Sequence, residues 1–398
     1  MPQIVPTTTP GQDTASTSNG ILAAQRVVDM DDTIHLLEPD AAPLTVLMRK
    51  MGSGTPAMNP EFNWLEDALL QKTLTVVTAM ASGDTSLYTN GGVVAADLAI
   101  LAIGDIILVP STGEHLRVTA VGTTTNTVIV RAFGSTSAAA IPANEVCWVI
   151  GNAQAEGADL TTILATNLTK KTNYTQIFRT PFGATRTLAN SELYGGKYLT
   201  YQQKKAGIEH QIALEKSAIF GEPKEVLTGN SPVRSSGGID YFISTNEIGI
   251  NGALSYSALV AAMQQIFRYG SQSARFCLSA PIVCTALDIL VYNRQGTIQS
   301  QDSNVAGVKI KRIQSSHGDL MVAKSNLLTN VSAFNDRMYV LDMDTLERRP
   351  FTGATTKLLM NRQGNGIDGQ IHEYITEMGW QMNNEQASGV LTGITSAA

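Results

Sequence analysis

The sequence predicts an α+β fold, and three observations carry that expectation. Short alternating strands with closely spaced turns occupy about 66–155. A long helical pattern runs over 190–221. Beyond it, helical and extended patterns succeed one another to the C-terminus. The 398 residues leave room for two or three domains with sizeable cores. A hydrophobic content of 43% excludes a disordered chain.

Residues 1–20 are rich in Thr, Ser, Pro and Gly, a composition that builds no core. Over 21–60, short helical patterns are cut by Pro39, Pro43, Gly52, Gly54, Pro56 and Pro60, which predicts an extended arm with one or two short helices. Strand patterns follow at Ile106–Val109, Leu116–Val121, Val128–Val130 and Cys147–Val149. Turn residues such as Pro110 to Gly113 and Gly122 to Asn126 separate them. Short strands at this spacing predict a small all-β barrel or sandwich.

In 190–221, positions 194, 198, 201, 205, 208, 212, 215 and 219 step alternately by four and three. Tyr194, Tyr198, Tyr201, Ile208, Ile212 and Ile219 form the expected buried stripe, interrupted by Lys205 and Glu215. Asn190 or Ser191 can cap the start, and Gly221 followed by Pro223 ends it. Gly195, Gly196 and Gly207 weaken it by up to about 1 kcal/mol each, so packing must hold it straight. Farther on, Ser255 caps a helix with Leu259, Met263, Ile266 and Phe267 inward, ended by Gly270. A strand at Arg275–Leu278, a helix from Pro281 to Leu290, and strands at 308–310, 320–322 and 338–341 follow. Residues 354–395 are expected to pair back into a sheet.

Charged residues make up only 16%, against about 25% in a typical soluble domain. Much of the surface is therefore neutral, which suits a chain that lives in contacts. The formal charge of −6 excludes a broad phosphate-gripping surface, although enclosing nucleic acid without gripping it stays compatible. Cys147, Cys277 and Cys284 form no CxxC pair and read as reduced, mostly buried thiols. No apolar run reaches the ~18 residues of a membrane span, and no secretory segment opens the chain, so synthesis in the cytosol is expected. On that expectation the sequons at Asn167, Asn173 and Asn330 are chance matches.

The search for chemistry returns nothing. Gly364-Asn-Gly366-Ile-Asp-Gly369 matches a dinucleotide fingerprint literally, but only 29 residues follow and no βαβ unit can be completed; it reads as a turn. His35, His115, His210, His317 and His372 stand at no metal-ligand spacing and read as structural or surface residues. No nucleophile elbow or P-loop occurs. Neither an enzyme nor a cofactor or metal is expected.

The segment Ala42-Pro43-Leu44 through Gly52, followed by Glu61-Phe62-Asn63-Trp64-Leu65-Glu66-Asp67, resembles the start of tailed-bacteriophage major capsid proteins with the Hong Kong 97 phage capsid fold. The segment Asn173-Tyr174-Thr175-Gln176-Ile177-Phe178 is similar to that family's returning loop strand. The stretch Glu373-Tyr374 to Trp380 with Asn384 to Ala387 is similar to the last strand of its peripheral domain. The order and spacing of these segments carry the resemblance.

The resemblance implies an N-terminal arm at 1–60, extended-loop strands at 61–72 and 172–189, and an inserted β-barrel domain at 73–158. It further implies a spine helix of the peripheral domain at 190–221, an axial domain at 222–345, and the rest of the peripheral domain at 346–398. Arm and loop contacts would involve Pro43, Leu44, Phe62, Trp64, Tyr174 and Phe178. The implied role is a major capsid protein in the virion, assembled in the bacterial host cytoplasm. It would partner itself as hexamers and pentamers in an icosahedral shell around double-stranded DNA, with no membrane. A portal protein is implied, and separate scaffolding or decoration proteins are compatible. The alternatives are a bacterial nanocompartment shell protein of the same fold and a phage tail structural protein.

Overall fold

The computed structural model describes residues 43–45, 48, 54–67, 69, 72–88, 97, 100–121, 126–157, 167–191, 197–228, 231–270, 273–293, 300–305 and 308–397. Its fold is α+β, in two compact units: Met1–Asn63 with Thr172–Ala398, and Trp64–Lys171.

Strand β1 (Glu61–Glu66) leads into the smaller unit. That unit is built on β2 (Thr73–Val76), β3 (Ser86–Tyr88), β4 (Asp105–Leu108), β5 (His115–Ala120), β6 (Asn126–Val130) and β7 (Glu145–Asn152). Their order is β2-β7-β4-β5-β6-β3, every pair antiparallel. Alternation decides the faces: Leu74, Val76, Ile107, Leu116, Val118, Ile129 and Cys147 point into one dry core. Where a barrel is expected, the described residues show no pairing between β2 and β3. The connecting chain 77–85 carries an isolated bridge from Met80 to Ile141, and the Ile129 amide donates to the Thr85 carbonyl.

An irregular excursion joins β6 to β7, and a buried ion pair pins it. Arg131 meets Glu114 at 2.7 Å with both side chains almost fully buried. Glu114 also accepts the Ala132 and Ala139 amides, while Arg131 donates to the Ala81 and Ala139 carbonyls. These hydrogen bonds hold the Glu114 carboxyl below its ordinary value, although burial alone would raise it.

The chain returns through β8 (Thr169–Tyr174), which pairs with β1, and β9 (Gln176–Thr185). Helices α1 (Arg186–Asn190) and α2 (Tyr198–Phe220) come next, then a hairpin of β10 (Lys224–Thr228) and β11 (Ser231–Ser235) and the single turn α3 (Ile239–Phe242). The remaining elements are β12 (Glu247–Leu254), α4 (Tyr256–Ile266), β13 (Ala274–Ser279), α5 (Pro281–Asn293), β14 (Ser300–Val305), β15 (Val308–Gln314), β16 (Asp319–Lys324), β17 (Met338–Leu341), β18 (Leu346–Pro350), β19 (Lys357–Leu359), β20 (Gly369–Met382) and β21 (Gly389–Ala397). They form a seven-stranded mixed sheet, β12-β21-β17-β13-β16-β15-β14. A four-stranded sheet places β18, β9 and β19 along the long strand β20. The Ser255 hydroxyl caps α4 as expected, accepting from Ala258, and Leu259, Met263 and Ile266 are buried. Gly270 stands at φ +93° just beyond, packed against Arg275, where only a glycine fits.

Three boundaries differ from those expected. The long helix starts at Tyr198, not near 190. Asn190 ends α1, Ser191 and Lys197 are extended, and the Gly195-Gly196 pair lies outside the described residues. Segment 176–185, expected within an extended-loop strand at 172–189, is β9, paired with β20 from Gln176↔Met378 to Gly369↔Thr185. The last strand, expected together with 346–398, does not join the β20 sheet: β21 fills the slot between β12 and β17, where Val390, Leu391 and Ile394 are buried.

Candidate assembly elements: arm, loop strands and long helix

The helical turn at 43–45 meets the long helix. Pro43 has no amide proton and a fixed φ, which suits a helix start. Leu44 and Met48 are buried in the same core as Leu214, Ala218 and Ile219 of α2. The exposed amides of that first turn face Glu215, and the Thr45 N–H donates to its Oε2 at 3.1 Å. Glu215 is completely buried. Burial pushes its carboxyl up to about 7, although the Thr45 and Leu44 amides pull the other way.

The face of α2 that is buried differs from the expected stripe. Ala206, His210, Leu214 and Ala218 follow one another at every fourth residue, with Glu215 and Ile219 beside them. Tyr198, Tyr201, Ile208 and Ile212 are only half-buried, and Tyr194 lies outside the described residues. Small Ala206 and Gly207 let α2 lie close to the β9–β20 sheet, with the Tyr374 ring over Gly207, and that rotates the contact line by about one residue. His210 is held at both ring nitrogens, by the Thr180 hydroxyl at 2.9 Å and the Thr376 hydroxyl at 2.7 Å. Since Thr376 donates onward to Thr356, Nε2 carries the proton and Nδ1 accepts from Thr180. Burial lowers the His210 pKa and keeps the ring neutral.

Strand β8 is tied down by Asn173, a fully buried side chain. Its amide donates to the Trp380 carbonyl at 2.5 Å and the Gly237 carbonyl at 3.1 Å. Its oxygen accepts from Gly237 at 2.7 Å and Tyr174 at 2.8 Å. One residue thus joins β8, the turn before α3, and β20. Beside it, Thr175 N–H donates to the Pro60 carbonyl at 2.7 Å, and Thr172 Oγ1 to Asn63 Oδ1 at 2.6 Å. Phe62 is buried under the Arg349 guanidinium at 5.9 Å, with Gly379 leaving room for its ring. Phe178 joins the main core, Trp64 is buried with Nε1 bonded to Glu66, and Tyr174 is half-buried. Pro43, Leu44, Phe178 and Ile219 are brought into one core region; Phe62 and Tyr174 sit at the Gly379 crossing.

Sequence reasoning passed over Asn173, Glu215 and His210. Glu215 left a trace, as a charge in an otherwise apolar stripe. The contacts of Asn173 with Trp380 and Gly237, and of His210 with Thr180 and Thr376, left none, because these partners are 30 or more residues away in the chain.

Reactive chemistry finds little to work with. A cleft of about 590 Å3 beside α2 is lined by Thr45, His210, Arg348, Tyr374 and Met378 among others. It holds no nucleophile–base pair, since both His210 nitrogens are committed to threonines. Burial pushes Cys147 up to about 12 and Cys284 up to about 11, so neither is a thiolate at neutral pH. Among the described residues, no group of three or more His, Cys, Asp or Glu is placed to hold a metal ion.

A family described as SU10 major capsid protein matches residues 6–395 of the chain. A major capsid protein of Pseudomonas phage PaMx41 is 23% identical over 384 residues, covering 90% of each chain. Among solved structures, Mycobacterium phage Bobi aligns over 93% of this chain and 96% of its own, with TM-score 0.48 and 9% identity. The capsid of a native GTA particle aligns over 98% and 100%, with TM-score 0.47 and 8% identity.

Proposed function

This chain belongs to the SU10 major capsid protein family, and from that premise we propose how it builds a phage head. It is a structural protein of the virion. Its copies assemble as hexamers and pentamers into a closed icosahedral shell of the Hong Kong 97 type around double-stranded DNA. The observation that carries this reading is the reach of the family match, from residue 6 to residue 395, across both compact units.

The parts then take these roles. Residues 1–60 act as the arm and 61–72 with 172–189 as the extended loop, both reaching neighbouring subunits. The domain at 73–158 is inserted in that loop, and the helix from Tyr198 is the spine of the peripheral domain. Residues 222–345, with β21 added, form the axial domain near the symmetry axes, and 346–382 complete the peripheral domain. Phe62, Tyr174 and Asn173 hold the base of the loop strands on β20, while Leu44 and Glu215 seat the arm. Many small contacts of this kind add up through multivalency, and each is weak enough for a misplaced subunit to leave. Assembly takes place in the host cytoplasm, with a portal protein at one vertex and scaffolding, where used, from a separate chain. The enclosed DNA is held by containment, consistent with the net charge of −6.

Expression of the chain alone, followed by negative-stain microscopy, tests this. Closed shells, tubes or capsomers are expected, and a monodisperse monomer without particles would overturn it. Particles from infected cells should contain nucleic acid; an enzyme cargo in its place would turn the reading into a nanocompartment shell.

A further inference from the structure

The sheet of the smaller unit has two faces of unequal character. One packs the core around Leu74, Ile107 and Leu116. The other carries large apolar side chains in the open: Trp148 is 60% exposed, Ile150 51%, Val146 47%, Val130 45% and Phe133 44%. The register makes them one surface. Trp148 stands opposite Leu108 on β4, and Leu108 opposite His115 on β5. In the neighbouring row, Ile106 stands opposite Arg117, and Arg117 opposite Val130. The Arg117 guanidinium lies over the Phe133 ring at 5.7 Å, at the edge of this face. The strand positions that alternate outward onto this face also carry Arg117 and His115.

The size of the face says what covers it. With side-chain areas of about 100 Å2 for valine to about 250 Å2 for tryptophan, the exposed apolar part amounts to roughly 500 Å2. That is at the upper end for a soluble monomer, where such patches are usually functional. It is well below the ~800 Å2 per partner that a stable two-body complex buries. A separate protein seated on this face alone would bind poorly. A contact of this size holds when it is one of many made at once, as between copies in a shell.

We infer that the outer face of the insert sheet, centred on Trp148, is a contact surface for a second copy of this chain. This rests on the proposed assembly and assigns a partner to a surface that the fold leaves bare. Trp148 is the anchor: the most exposed of these side chains and a large, stiff aromatic of the kind that dominates interface energies.

The three tryptophans make the test direct, because Trp64 and Trp380 are already buried within the subunit at 7% and 1% exposure. Acrylamide quenching and emission are measured on unassembled subunits and on particles grown from the purified chain alone. Assembly is expected to shift emission to shorter wavelength and remove the quenchable component, and W148F should show neither change. W148E should raise the concentration needed for particles by roughly tenfold or more, leaving subunit melting unchanged, since the residue is exposed in the subunit. Particles in which Trp148 stays as quenchable as in free subunits overturn the inference and leave the assembly reading standing. Protection in particles from infected cells but not in those from the purified chain overturns it too, by naming a different partner. Absence of particles overturns the assembly reading itself, and the inference with it.

Discussion

Replacing Glu215 by Gln should change how the arm responds to pH. The carboxyl is completely buried and accepts the Thr45 amide. Its pKa rises from an ordinary 4.5 to about 7 because burial penalises the charge. A folded pKa above the unfolded one means that the folded state binds more protons between these values. The contribution is therefore fully present below about 4.5 and is lost as pH rises through about 7. The displacement amounts to about 3 kcal/mol at 1.36 kcal/mol per pH unit. Glutamine keeps an oxygen for the Thr45 amide and carries no charge, so E215Q should escape that loss. Among the described residues, the other ionisable groups near this part of α2 include His210 five residues back, held neutral by burial, the exposed Lys216, and Arg348 across the cleft. His210 acts in the opposite sense: a lowered folded pKa gives stability present above about 6.5 and lost in acid as pH falls through the folded value. Glu215 thus governs the neutral-to-alkaline side. Hydrogen exchange of the Leu44–Thr45 turn, followed from pH 5 to 8.5, should show protection falling in the natural protein and staying level in E215Q. Thermal unfolding at pH 8 should favour E215Q by several degrees. Parallel pH profiles for the two proteins would refute the assignment.

Removing Arg131 should unfold the smaller unit selectively. R131M leaves Glu114 charged, buried and unpaired, which costs about 3–5 kcal/mol, and protease cleavage in the 131–144 excursion should report it. The double change R131M/E114Q should recover part of that loss. N173A removes hydrogen bonds to Trp380, Gly237 and Tyr174 from a dry site and should cost about 2–4 kcal/mol in the larger unit's thermal unfolding. N173D should be worse than N173A, because a carboxylate cannot donate to the Trp380 and Gly237 carbonyls.

Local signals were readable and long-range ones were not. The Ser255 cap, the Pro281 helix start and the alternation in β5 and β6 each depend on residues a few positions apart, and each was legible in the sequence. The long helix was legible as a helix, but its buried face was assigned by side-chain size. Tyrosines and isoleucines were expected inward; Ile219 is buried and Ile212 packs against the core, but close approach to the sheet brings in Ala206, Ala218 and the hydrogen-bonded His210 in place of Tyr198, Tyr201 and Ile208. Strand β21 was grouped with its chain neighbours, since nothing local says that it crosses to lie between β12 and β17. Asn173 read as a chance sequon because its meaning resides in a carbonyl 207 residues away.

The scarcity of charge also says how the shell should respond to salt. Several of the few charges present are already committed within a unit: Arg275 to Asp342 at 3.0 Å with both buried, Arg131 to Glu114, and Glu373 to Arg179 and Arg362. On the Trp148 face the exposed side chains are mostly apolar, with Arg117 and His115 beside them. Contacts between such surfaces are driven by apolar burial, which salt does not screen, whereas ion pairs between exposed side chains weaken as the Debye length falls from about 10 Å at 0.1 M to about 3 Å at 1 M. Purified particles should therefore survive transfer to about 1 M sodium chloride and loosen on cooling, because the apolar driving force weakens at low temperature. Light scattering across a salt series and a cooling ramp measures both. Particles that dissociate in salt and hold in the cold would mean that ionic contacts join the subunits, and the neutral-surface argument would fall.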